Sequence, residues 1–181
     1  MMNDRALELL DAWWEIGEEG WYSQSDETDA MLKERFGDMV EAARAGKLDH
    51  WQDAPHTTLA LLLLLDQLPR NIFRGTPEAF SSDAQAMTVA DAARAKNFDK
   101  AYHGVARGFF YMPYMHCEDL EAQNTCCDIF RQIGNQNGYY YALVHMDAIR
   151  RFGRFPHRNK ILGRVTTPEE EVYMKTGGFS A

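Results

Sequence analysis

The sequence predicts an all-α fold. Three observations carry that expectation: apolar residues recur at helical spacing along most of the chain, no convincing run alternates at period two, and the breaks hold residues that start or stop helices. Between Asp29 and Ala45, Leu32, Phe36, Met39, Val40 and Ala43 form one apolar stripe, and Gly46 is a natural stop. Pro55 suits the first turn of the next helix, which is apolar nearly all round through Leu65 and therefore central. Pro69 then ends or kinks it, because proline disfavours helical geometry at Leu68. Ser82-Asp83-Ala84-Gln85 has the spacing of a capping box and opens an Ala-rich helix to about Lys96. Further helices are expected over Asp99 to Met112, bounded by Pro113, over Glu118 to Ile133 before Gly134, and over Tyr139 to Phe152 with Gly153 as its stop. Thr167-Pro168-Glu169-Glu170 combines an N-cap, a proline at the first helical position and a capping-box acid, so a short helix starts there. The expectation is one domain over residues 1–181 with seven or eight helices and no tandem repeat of fixed period.

At 181 residues, with 45% hydrophobic and 25% charged side chains, the chain has the composition of an ordinary globular domain. A net charge of −8 argues against non-specific binding of nucleic acid or anionic membrane. The longest aliphatic run, Leu59 to Leu65, is far short of the roughly 20 residues that span a bilayer. Cys117, Cys126 and Cys127 form neither a disulfide framework nor a zinc pattern, and the N-terminal residues carry no signal-peptide pattern. Reduced thiols in a cytoplasmic protein are the expectation.

The charge distribution is uneven. Between Ala148 and Arg164 stand six basic residues and no acid, which leaves 13 basic against 27 acidic residues elsewhere. Arg154, His157, Arg158, Asn159 and Arg164 decorate this Gly- and Pro-punctuated stretch. Arginine's planar fork suits carboxylate or phosphate, so the segment suggests an oxyanion pocket unless its arginines pair with acids of the fold. A second polar knot lies at the Pro69 break, where Asp66 needs a cationic partner and Gln67, Arg70, Asn71 and Arg74 follow. In a third, around Pro113, His116 and Glu118 could serve acid–base chemistry, while Asp119 suits a helix first turn. His145 reads as a core residue satisfied by one hydrogen bond. Neither a metalloprotease motif, a di-iron motif nor a phosphate-binding glycine loop occurs, and no metal or cofactor is expected.

Three stretches in order, 65–77, 110–119 and 151–159, resemble the largely bacterial domain of unknown function 924 family, over about Trp21 to Tyr173. That family is grouped with tetratricopeptide-repeat-like helical folds, so the resemblance implies packed antiparallel helix pairs. It assigns no activity, and it implies that the three polar knots are the family's signature.

Three readings stand at this point. The first is a binding module that takes an anionic small molecule or acidic peptide on Gln67, Arg70, Asn71, Arg74, Arg154, His157, Arg158, Asn159 and Arg164. The second is an enzyme in which His116, Glu118, His157 and Asp66 are the acid–base candidates and an anionic substrate is held by the arginines. The third makes the polar knots purely structural. Each depends on whether the three stretches meet in one electropositive hollow.

Overall fold

Residues 59–65 are at most 1% exposed, and the helix they build is the one the others pack around. The computed structural model describes residues 2–179, with side chains from residue 4. Among them are nine helices and no strand: α1 (Met2–Trp21), α2 (Asp26–Arg44), α3 (55–72), α4 (Asp83–Ala95), α5 (Gly104–Gly108), α6 (Met112–His116), α7 (Leu120–Gln132), α8 (Gln136–Phe152) and α9 (Pro168–Lys175). No helix is long and apolar enough to cross a membrane.

Helix α3 packs against α1, α2 and α4, α6 bridges from α4 to α7 and α8, and α7 and α8 form the most extensive pair. The main core joins Leu9, Trp13, Leu32, Phe36, the 59–65 run, Phe109 and Phe130. Burying each such large side chain contributes about 1.5–3 kcal/mol, which offsets the entropy of ordering it. A second, smaller cluster joins Ala148, Ile149, Phe155 and Tyr173, with Phe152, Met174 and Phe179 packed on it. The three polar knots lie where these two clusters face each other, through contacts described below.

Local chemistry explains several helix ends. Ser25 accepts from the Thr28 amide, Asp119 from Ala122 and Asn135 from Gly138, and Thr167 and Glu170 complete the expected capping box. Gly153 closes α8 in the left-handed conformation, as expected. Helix α1 is interrupted at Gly17, whose φ of 74° only glycine adopts at no cost. Beyond the break, Trp21 folds back so that its indole donates to the Trp13 carbonyl at 2.6 Å and stacks on that ring.

Three expectations need correction. The helix count is nine, because the stretch read as one helix over 99–112 divides into a 3₁₀ turn (Phe98–Ala101), α5 and the start of α6. Gly104 has a left-handed φ of 57° there, and Asp99 is buried and tied to Arg107 and Tyr111 rather than exposed on a helix. Pro113 lies in the first turn of α6, not beyond a helix end. Ser82 does occupy the N-cap of α4, yet its hydroxyl makes no cap and is used elsewhere.

Candidate functional site

Pro69 has no N–H, so the carbonyl of Leu65 loses the donor a regular helix would supply. The Ser82 hydroxyl donates to it instead, at 2.7 Å. Just upstream, the Leu68 amide reaches five residues back to Leu63, and residues Leu63–Gln67 form a single wide π turn. Asp66 lies in that turn, 1% exposed, with Gln67 beside it at 8%. A carboxylate there needs partners, and it has three. His116 Nδ1 lies 2.7 Å from Oδ1, Arg70 Nη1 is 3.2 Å from the same oxygen, and the Gln67 amide donates to Oδ2.

The network extends outward from Asp66. Arg70 also donates to the Asp66 carbonyl at 2.5 Å and pairs with Asp83 at 3.0 Å. Arg158 donates to Asp83 at 3.3 Å and to the His116 carbonyl at 3.1 Å, with its guanidinium against the rings of Phe80 and Phe155. Two carboxylates thus meet two guanidinium groups. Burial alone would raise Asp66, but Arg70 and His116 outweigh it and hold its carboxyl at about 2. Burial, and then the Arg70 charge, lowers His116 against the pull of Asp66, so its imidazole is neutral at pH 7. Burial and the neighbouring Arg70 bring even Arg158 down to about 10.

The tautomer follows from this arrangement. An ionised Asp66 can only accept, so Nδ1 of His116 carries the proton and Nε2 carries the lone pair. No described residue bonds Nε2, and 16% of the side chain is exposed. An imidazole oriented by a buried carboxylate, with the far nitrogen unbonded, has the geometry that general-base chemistry requires.

Two further knots flank this one. Arg164 grips Glu118 with both Nη atoms, at 2.6 and 3.0 Å, while the Phe155 amide donates to Glu118 at 2.8 Å. Those contacts overcome burial and lower Glu118. Arg164 also donates to Asn159 Oδ1 at 3.0 Å, and Asn159 donates to Glu170 at 3.1 Å. Arg154 holds Glu170 bidentately at 2.7 and 2.9 Å, which brings that carboxyl to about 2. On the other side of Arg70, Asn71 and Arg74 both donate to Asp29 of α2.

Histidines and one phenylalanine fill the space beside His116. The ring of His145 is 6.2 Å from that of His116 and 3.9 Å from Phe179, and its Nδ1 donates to the Tyr141 carbonyl at 2.8 Å. His157 lies 5.6 Å from Phe155 and 5.1 Å from Phe179, with a buried Nδ1 that has no partner among the described residues. Burial, then nearby positive charge, brings His145 to about 3 and His157 to about 4.

The expected residues therefore separate into groups. Asp66, Gln67, Arg70, His116 and Arg158 share one network, and Glu118, Arg154, Asn159 and Arg164 share a second beside it. Asn71 and Arg74 face α2, and His157 faces Phe179. Every arginine of the expected set is paired with an acid of the fold. Two surface cavities, of about 390 and 450 Å³, are lined by other residues. Among the described residues no three His, Cys, Asp or Glu side chains converge as a metal site. Sequence reading missed Asp29, Asp83 and Glu170 as the partners, because nothing local marks an acid whose arginine lies 13 to 75 positions away.

A model of a family described as bacterial protein of unknown function (DUF924) matches residues 9–178. The chain is also similar to a solved structure, the protein of unknown function ATU0120 from Agrobacterium tumefaciens. The two are 40% identical over 98% of this chain and 100% of that one, with a TM-score of 0.94. No curated protein matches.

Proposed function

The chain belongs to the bacterial DUF924 family of unknown function, and we propose that Asp66 and His116 form its working centre, an acid–base dyad acting on a small molecule that reaches Nε2 of His116. The observation that carries this reading is the 2.7 Å contact between His116 Nδ1 and a buried, ionised Asp66, with Nε2 unbonded by any described residue. A neutral imidazole so held can take a proton from a bound hydroxyl, amine or water and return it to a leaving group. Positioned proton transfer of this kind contributes about 10²- to 10⁴-fold to a rate.

An anionic substrate is the class suggested by the basic 148–164 segment. Arg70, Arg154 and Arg158 are each already in an ion pair, so none of them offers a vacant donor fork to a ligand. That is why the dyad is preferred to a pocket built on the arginines alone. The stacked helix pairs of a tetratricopeptide-like array, which the resemblance implies, find support in the α7–α8 pair and would set His116 at the junction of two helical layers. Three unpaired cysteines suit a reducing, cytoplasmic setting.

The test is a turnover screen over esters, amides, phosphoesters and enolisable acids, with wild type, His116→Ala and Asp66→Asn side by side, and carbethoxylation of the folded wild type followed by mass spectrometry. The dyad predicts that turnover falls about 10²- to 10⁴-fold in both variants and that His116 is labelled. Turnover unchanged in His116→Ala, or a His116 that diethyl pyrocarbonate never reaches, overturns the reading.

A further inference from the structure

The 450 Å³ cavity lies at the C-terminal end of α4, is lined by none of the candidate site residues described above, and carries unpaired positive charge. Asn97 turns the chain back there with a left-handed φ of 58°, so that the Phe98–Ala101 turn brings Asp99 and Lys100 to the cavity beside Arg94. Arg94 pairs with no carboxylate among the described residues. Its Nη1 donates to the Tyr114 hydroxyl at 3.0 Å and its guanidinium lies over that ring, which leaves Nε and Nη2 without a protein acceptor. Lys100 is exposed and also has no partner among the described residues. Arg107 donates to the Tyr111 hydroxyl at 2.8 Å and to Asp99 at 3.0 Å, and keeps Nη1 unused.

The two tyrosines link the arginines to acids. Tyr111 donates its proton to Asp99 at 2.6 Å, and Tyr114 donates to Asp91 at 2.5 Å. Each hydroxyl thus accepts from an arginine and donates to an acid. Burial, then the adjacent carboxylate, pushes both phenols up to about 12, and each remains a neutral hydroxyl. Three cations then face two carboxylates, Asp99 accepting at Oδ2 and Asp91 at Oδ1. In a chain of net charge −8 this is a local positive excess with open donors.

We propose that this cavity binds a small molecule through a carboxylate or phosphate group, held by Arg94, Lys100 and Arg107. The tyrosines are positioning residues, which hold the guanidinium groups at the cavity wall. The negative end of the α4 dipole helps to seat Arg94 without supplying an acceptor for its outer nitrogens. The inference is independent of the His116 dyad.

Inorganic phosphate and succinate serve as probes, titrated into ¹⁵N-labelled protein at low salt, with wild type, the double variant Arg94→Gln/Lys100→Gln and the control Lys96→Gln compared. Neither replaced residue of the double variant carries an ion pair among the described residues, and a helical circular-dichroism spectrum equal to that of wild type checks that the fold survives loss of the Arg94–Tyr114 hydrogen bond. Saturable shifts over residues 91–107 and 129–133 with either probe, weakened at least about tenfold in the double variant, as expected for loss of charge-assisted hydrogen bonds, and unchanged in Lys96→Gln, are the expected result. Which probe binds tells carboxylate from phosphate. Absence of saturable shifts with both probes, equal affinity in the double variant, or an equal loss in Lys96→Gln overturns the proposal.

Discussion

Asp66 reaches His116 from a turn whose geometry depends on a missing donor: Pro69 cannot bond the Leu65 carbonyl, and Ser82 does so in its place. Deleting that hydroxyl leaves a buried carbonyl without its substitute partner. Ser82→Ala is therefore expected to lose about 1–3 kcal/mol in urea unfolding, whereas Ser81→Ala, at an exposed position one residue away, loses much less. At the dyad itself, Asp66→Asn keeps the shape but offers an amide where His116 Nδ1–H needs an acceptor. The amide can rotate to present its oxygen only by giving up its contact with Gln67. The expected outcome is a modest loss of stability with a large change in His116 chemistry, which separates this residue from one whose role is packing alone.

Among the elements, those whose stability is local were legible. The stripe over 29–45 gave α2, the capping-box sequence at Thr167 gave α9, and Gly153 marked the end of α8. What escaped was decided by distant side chains. The 99–112 stretch has a helix-compatible pattern, but Asp99 is drawn inward by Arg107 and Tyr111, and Gly104 permits the break. Likewise, Ser82 looks like a cap until the Leu65 carbonyl of another helix, left without a donor by Pro69, claims its hydroxyl. At the site, the type of residue was legible and its partner was not: Asp66, His116 and the arginines stood out, while Asp83 and Glu170 looked like ordinary helix first-turn acids. The chain after α9 had no sequence signal either. There Gly178 passes so close to Tyr173 that an added Cβ would sit 2.6 Å from the ring, and this path delivers Phe179 onto His145. Gly178→Ala should lift Phe179 away and increase carbethoxylation of His145 and His157. Labelling no faster than in wild type would show that Phe179 does not cover them.

Across the whole molecule, five arginines of the polar knots meet five carboxylates, Asp29, Asp66, Asp83, Glu118 and Glu170, so a seemingly cationic segment is neutralised by an acidic body. The buried histidines then govern the response to acid. His145 is held neutral, at about 3, against about 6.5 in the unfolded chain. Its contribution to stability is complete above pH 6.5 and is lost as pH falls toward 3, because the unfolded state takes up the proton first. Urea unfolding should therefore weaken by about 1.4 kcal/mol per pH unit for that one proton well below pH 6.5, with His157 adding to the slope down to about 4. His145→Gln should flatten it by one proton. Asp66 and Glu170 act lower, their stabilisation present above about 4 and lost toward about 2. The central claim concerns a single nitrogen, and the ¹⁵N shifts of the His116 ring at neutral pH report on it directly. A protonated Nδ1 with a lone pair on Nε2 is the predicted result; a proton on Nε2, alone or together with Nδ1, would contradict the dyad.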